Sequence, residues 1–236
     1  MLILVILFQN IRAVVFDAVG TLINPDPPAE DVYAQVGRRF GSRLAVPDIA
    51  ERFKVAFRKE EERDRLAGYQ TSEEREIERW RHIVAAVLDD AEDVEAAFNE
   101  LFKHFAHAES WSADRDAQEV MKRLASRGLW LAIASNYDRR LHSVIAGMPA
   151  LEFLPHRIIS SEVGWRKPAR EFFMAVARVT DAQPRELLFV GDELENDYRG
   201  ALAAGMQPLL FDPVRRIRSL DIQTLRSLKD LPAMLA

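Results

Sequence analysis

Four short stretches carry residue types that together could handle a phosphate: Asp17 in FDAVGTL, Ser135 and Asn136 in ASNYD, Lys167 in GWRKP, and Asp192 with Asp197 in GDELEND. Two carboxylates from distant stretches, Asp17 and Asp192, could share a hard cation, and Mg²⁺ is favoured where few protein oxygens and a phosphate complete the shell. Lys167 and the Ser135 hydroxyl suit the equatorial oxygens of a transferring phosphoryl group, while the cation would offset repulsion between an anionic nucleophile and an anionic ester. Taken singly, each residue has an ordinary explanation as a turn aspartate, a cap serine, a surface lysine or a tight Gly-Asp turn. Their appearance in order, each just past an expected strand, is what points to chemistry.

Such residues need elements that bring them together. Residues 12–16 (RAVVF) read as a short buried strand ending at Asp17, Gly20 and Thr21. Residues 25–108 switch to helical spacing with no convincing strand; apolar stripes run through Ala29, Val32, Val36 and Phe40, through Phe53, Ala56 and Phe57, through Ile77, Trp80, Val84 and Val87, and through Val94, Phe98, Leu101 and Phe105. A helix through Val120 and Leu124 stops at Arg127-Gly128, and helices then alternate with strands at 129–134, 157–159, 187–190 and 208–211. One of those helices is opened by Pro168, and another is expected near 195–204. The expected fold class is therefore α/β, a doubly wound, Rossmann-like parallel sheet core with an inserted helical cap domain. Residues 1–24 and 110–236 would form the core and 25–109 the helical lobe, with 24–28 and 109–113 as its hinges. The mixed-charge run from Arg58 to Arg81 reads as the solvated faces of its helices.

At 236 residues the chain can hold a core and a smaller companion. A net charge of −5 leaves no electrostatic footprint for gripping a polyanion, so nucleic acid is not an expected partner. Without cysteine there are no disulfides, zinc-thiolate sites or thiol nucleophiles, which agrees with a reducing compartment. The apolar start MLILVILF lacks a basic leader and a cleavage site and is far shorter than a membrane span, so it reads as an extension leading into the first strand. A cytoplasmic protein, monomer or homodimer, without membrane contact is expected.

FDAVGTL, SEVGWRKP and VGDELENDYRGALAAG closely resemble the motifs of haloacid dehalogenase-like hydrolases, over residues 12 to about 211. That resemblance implies that Asp17 attacks phosphorus to form an aspartyl phosphate, that Ser135 and Lys167 bind the transferring group, and that the substrate is a small phosphorylated molecule. It further implies Mg²⁺ as cofactor, held by Asp17, the backbone carbonyl of Val19 and Asp192, with Asp197 ordering the shell. The helical insertion corresponds to the family's mobile cap, which excludes water and selects substrate. Asn136 and Gly20 join the expected phosphate-binding set, the first through a backbone N–H and the second through a tight turn.

One departure matters. Family phosphatases carry an aspartate two residues after the nucleophile to protonate the leaving group and then activate water, and this chain has Val19 there. General acid-base help worth ~10² to 10⁴ in rate is missing. The consequences open at this point are a slow phosphatase best with leaving groups that need little protonation, a metal-independent 2-haloacid dehalogenase, a phosphonatase using Lys54 or Lys59 as a Schiff base, and a non-catalytic binder of Mg²⁺ and a phosphometabolite. His104 and His107 could share a metal on one helix face, but with no third ligand nearby they read as polar helix positions. Trp80 and Trp111 read as packing residues, and Arg38 and Arg39 as a solvated face.

Overall fold

In the computed structural model, which describes residues 8–219 and 221–235, the chain opens with β1 (Ala13–Phe16) and β2 (Ile23–Pro25), followed by α1 (Ala29–Arg39), α2 (Val46–Leu66), α3 (Glu73–Val87) and α4 (Val94–His104). Next come β3 (Trp111–Ala113), α5 (Ala117–Ser126), β4 (Trp130–Ser135), α6 (Arg140–Ala146), β5 (His156–Ile159), α7 (Ser160–Val163) and α8 (Arg170–Thr180). The chain finishes with β6 (Leu187–Gly191), α9 (Gly200–Ala203), β7 (Gln207–Phe211), β8 (Thr224–Leu225) and α10 (Leu231–Met234). Six of the strands form one parallel sheet of order β5-β4-β1-β6-β7-β8.

β1 is buried at every position, as an apolar run with no polar alternation requires of a strand covered on both faces. Its period of two splits the core: Val14 and Phe16 pack with Ile133, Val190, Val120 and Leu124 on one side, Ala13 and Val15 with Ala134, Phe189, Phe172 and Val176 on the other. α5 and α6 therefore cover one face and α8 and α9 the other, which is the expected doubly wound arrangement. Just past α5 the chain turns at Gly128, whose φ of +76° lies in the left-handed region where a Cβ would be strained.

α1 to α4 lie between β2 and β3 in the chain and keep a hydrophobic core of their own, built on Tyr33, Ile49, Ile83, Val84, Leu88 and Phe98. α3 and α4 start where Ser72 and Asp93 accept the amides of Arg75 and Ala96. The two expected hinge segments pair with each other: β2 and β3 run antiparallel, Ile23 with Ala113 and Pro25 with Trp111, in a ribbon too short for its alternation to show in sequence. One expectation needs correction: the run from Arg58 to Arg81 is not simply solvated, because Glu60, Asp64, Glu76 and Arg79 are buried. Asp64 pairs with Arg79 and with Arg75 (2.7 Å), Glu60 with Arg75 (2.8 Å), and Glu76 with Arg166 of the sheet domain, so these charges compensate one another out of water.

Of the apolar start, only Phe8 lies within the described residues; it is buried and bridges Leu235. Among the described residues no helix is long and apolar enough to cross a membrane. The helix expected near 195–204 is a wide π-type turn at Leu194–Arg199 followed by α9, an irregular form common beside functional sites.

Candidate active site

Phe16 stands in register with Ile133 on one neighbouring strand and Val190 on the other. Asp17, Ser135 and Asp192 therefore leave the sheet at one end of three adjacent strands, where the order reverses and open α/β sheets bind ligands. Lys167 reaches the same point from the loop between α7 and α8. Its Nζ donates to Asp17 Oδ1 at 2.6 Å, Asp197 Oδ1 at 2.6 Å and the Ala134 carbonyl at 3.2 Å. Ligand oxygens of Asp17, Asp192 and Asp197 lie within 4.8 Å of one another, the one such cluster among the described residues.

The electrostatics follow from this crowding. Burial, then repulsion from Asp17 and Asp197, pushes the Asp192 carboxyl up to about 7, with Arg216 opposing. Burial likewise raises Asp197 to about 6, while Lys167 restrains it. Burial alone would disfavour the Lys167 ammonium, but Asp17 and Asp197 outweigh it and hold its pKa above the ordinary lysine value. Three carboxylates face one buried ammonium and the exposed Arg216 guanidinium 3.7 Å from Asp192 Oδ2, which leaves a site that gains from a further cation. The donor set is all oxygen, which fits a hard ion. Local backbone agrees: the Ala18 carbonyl accepts the amides of Thr21, Leu22 and Ile23, while among the described residues the Val19 carbonyl accepts none.

Gly20 makes the turn possible. Its φ is +89°, and a Cβ there would lie 2.6 Å from Asp192 Oδ1. Its amide, however, donates to the Ile23 carbonyl at 2.9 Å, so Gly20 provides room for Asp192 rather than an N–H for phosphate. The Asn136 side chain accepts from the Lys167 amide (2.7 Å) and donates to the Lys167 carbonyl (3.0 Å), bracketing the lysine loop. The Ser135 hydroxyl is uncommitted among the described residues, whereas Lys167 must give up a present bond to meet an anion. Sequence reasoning missed two supports of Asp192: Thr21 Oγ donates to its Oδ1 at 3.4 Å, and Arg216 Nη2 to its carbonyl at 3.1 Å. TL after the Asp17 loop was a visible signal for Thr21; nothing flagged Arg216.

Two openings flank the cluster. A polar groove of about 650 Å³ runs past Asp192 between α2 and the following turn, lined by Arg58, Glu61, Arg65, Glu193 and Arg216 among others. A second cavity, of about 300 Å³, starts at Val19 and Asn136 and is walled by apolar and aromatic residues of the helical block and ribbon. Trp80 and Trp111 both line it, a role beyond packing. The remaining candidates stay apart from the cluster: Lys54 and Lys59 are exposed, Lys54 near Glu51 at 3.7 Å, and Arg39 pairs with Glu100.

The sequence model of the haloacid dehalogenase-like hydrolases matches residues 11–205. The chain belongs to that family. Haloacid dehalogenase-like hydrolase domain-containing protein 3 of Homo sapiens is 28% identical over 219 residues, spanning 88% of this chain and 86% of that protein. Among solved structures, a HAD phosphatase from Thermococcus onnurineus superposes with a TM-score of 0.66 at 20% identity, covering 94% of this chain and 96% of that one. The L-2-haloacid dehalogenase of Xanthobacter autotrophicus, with chloropropionic acid covalently bound, gives a TM-score of 0.71 at 19% identity, covering 94% and 97%. A haloacid dehalogenase-like hydrolase is an enzyme, and this chain is a hydrolase. Phosphatase and dehalogenase share the fold, so the choice between them rests on the site.

Proposed function

We propose that this hydrolase is a Mg²⁺-dependent phosphatase of a small phosphorylated metabolite, with Asp17 as nucleophile and an aspartyl phosphate as covalent intermediate. The convergence of Asp17, Asp192 and Asp197 within 4.8 Å carries the reading. A carboxylate crowded by two others repels an anionic substrate unless a hard cation joins them. Asp17, Asp192 and the Val19 carbonyl would hold Mg²⁺, with Asp197 ordering its shell. When bound, the ion supplies neutralising charge for the nucleophile and the phosphate oxygens.

Lys167 fixes one carboxylate oxygen of Asp17 at 2.6 Å, so the nucleophile is aimed before substrate arrives. Asp17 attacks phosphorus, an acyl phosphate bond forms, and the P–O bond to the leaving group breaks, that group departing with the electron pair. Ser135 and Lys167 would take the equatorial oxygens as charge redistributes. Water then attacks phosphorus, the acyl phosphate bond breaks, inorganic phosphate leaves with the water oxygen, and Asp17 is restored. Val19 carries no proton in either half.

The apolar cavity beside Val19 favours a second reading, in which Asp17 attacks a halogen-bearing carbon and expels halide. Against it stands the three-carboxylate cluster, which that reaction does not need. Hydrolysis of an aryl phosphate should require Mg²⁺ and fall by at least ~10³ in Asp17→Asn. Unchanged turnover in that variant would remove Asp17 as nucleophile, and metal-independent halide release from a 2-haloacid would establish the second reading.

A further inference from the structure

We infer that the substrate is an aryl monophosphate, its uncharged ring seated in the cavity that begins at Val19. This rests on the phosphatase reading and deepens it. The cavity touches the reacting end through Val19, two residues past the nucleophile, and through Asn136, beside Ser135. A group leaving phosphorus on that side enters it directly.

Its walls are rings that hold one another in place. Tyr33 meets Phe53 edge-on with centroids 5.5 Å apart, Phe53 stacks on Phe57 at 5.9 Å, and Phe105 meets Trp111 at 5.7 Å. Such surfaces accept another ring by stacking or edge contact. At about 300 Å³ the space is twice the ~150 Å³ that takes up one benzene, enough for a substituted single ring or two fused rings.

The charge of the cavity is spent. Arg140 is the charged residue in its lining among the described residues. Its Nε and Nη2 donate to the two oxygens of buried Asp138 at 2.8 and 2.7 Å, its Nη1 donates to the Phe102 carbonyl at 3.0 Å, and its guanidinium lies 3.6 Å from the Phe102 ring centroid. A second phosphate or a carboxylate on the substrate would find no free cation here and would be stranded in apolar surroundings. The Tyr137 hydroxyl is taken by the Phe105 carbonyl at 3.3 Å, and the Asn136 side chain by Lys167. Among the described lining side chains the Tyr33 hydroxyl and the Trp80 indole N–H lack a hydrogen bond, so an uncharged polar substituent on the ring could be met at either.

Val19 points the same way on independent grounds. Without a proton donor the leaving oxygen must depart as an anion, and a phenol, with a pKa near ~10, does so far more readily than an alkyl alcohol. An apolar aromatic chamber and a missing acid thus select the same leaving group.

Non-hydrolysable phosphonates separate this inference from the reading beneath it. With Mg²⁺ present, calorimetry should show benzylphosphonate binding roughly tenfold or more tighter than methylphosphonate or phosphonoacetate. Ala29 and Phe57 line the cavity: Ala29→Phe, which puts a ring into it, should erase that preference and leave methylphosphonate affinity unchanged, while Phe57→Ala should shift preference towards 2-naphthylmethylphosphonate. Equal affinities, tightest binding of phosphonoacetate, or a benzyl preference that survives Ala29→Phe would each overturn the cavity assignment and leave the phosphatase reading intact. Failure of every phosphonate to bind with Mg²⁺ would overturn both.

Discussion

Val19 is half-buried between the nucleophile turn and the aromatic cavity, where a carboxylate would serve as acid. Val19→Asp should raise turnover of alkyl phosphates by up to ~10² and of aryl phosphates much less, since only the former need the proton; equal gains would mean that leaving-group protonation does not limit the rate. The carboxylate cluster makes a prediction of the opposite kind. A carboxyl whose folded pKa is raised favours the fold while protonated, so its contribution is complete below the ordinary 3.8 and lost as pH climbs through about 6 for Asp197 and about 7 for Asp192. Above that window the charged cluster strains the fold and a cation relieves it. Mg²⁺ should therefore raise the melting temperature clearly at pH 8 and little at pH 5; equal shifts would place the ion elsewhere. Asp17 and Asp192 were legible because charged residues directly after buried strands are hard to explain otherwise; Lys167, expected just past the third strand, instead lies beyond α7, and it was legible through the GWRKP string. Arg216 was not, since its contact with Asp192 is made by a folded loop 24 residues further along the chain, and for Thr21 the residue was visible but its bond to Asp192 was not.

At the scale of elements, the charges of α2 and α3 misled most. Glu60, Asp64, Glu76 and Arg79 sit among exposed charges of the same kind, and helical spacing cannot tell which of them a third element covers. That element is the loop carrying Arg166, which is 7% exposed and bonded to Glu76, with Asp64 3.4 Å away. Removing one member of a buried ion-pair network leaves its partners uncompensated, typically at ~3–5 kcal/mol. Arg166→Ala should lose stability on that scale in urea titration, with a raised KM because the neighbouring Lys167 loses its support. A loss below about 1 kcal/mol would mean that water replaces the guanidinium. The strand-helix alternation was legible by contrast, because the central strands are apolar runs bounded by turn residues, as in LLFV before Gly191-Asp192, whereas β2, β3 and β8 are too short to carry such a signal.

For the whole molecule, the helical block meets the sheet domain through backbone as well as side chains. The Thr71 amide donates to the Gly164 carbonyl at 3.0 Å, and the Arg166 amide to the Tyr69 carbonyl at 2.9 Å. If the block opens as a unit, those two amides should exchange hydrogen at one shared opening rate, slowed in step by Mg²⁺ with benzylphosphonate; independent rates would show the contact fraying bond by bond. Sequence could suggest an inserted lobe from the change of period, but not this seam, which joins residues some 95 positions apart. Arg166 and Lys167 are consecutive, yet one is tied into the lobe and the other to Asp17. A single peptide unit thus acts as a tie-rod: a displacement of the lobe would be passed through it to the Asp17 oxygen that Lys167 holds, so under the proposed mechanism docking of the lobe and readiness to attack would be mechanically one event.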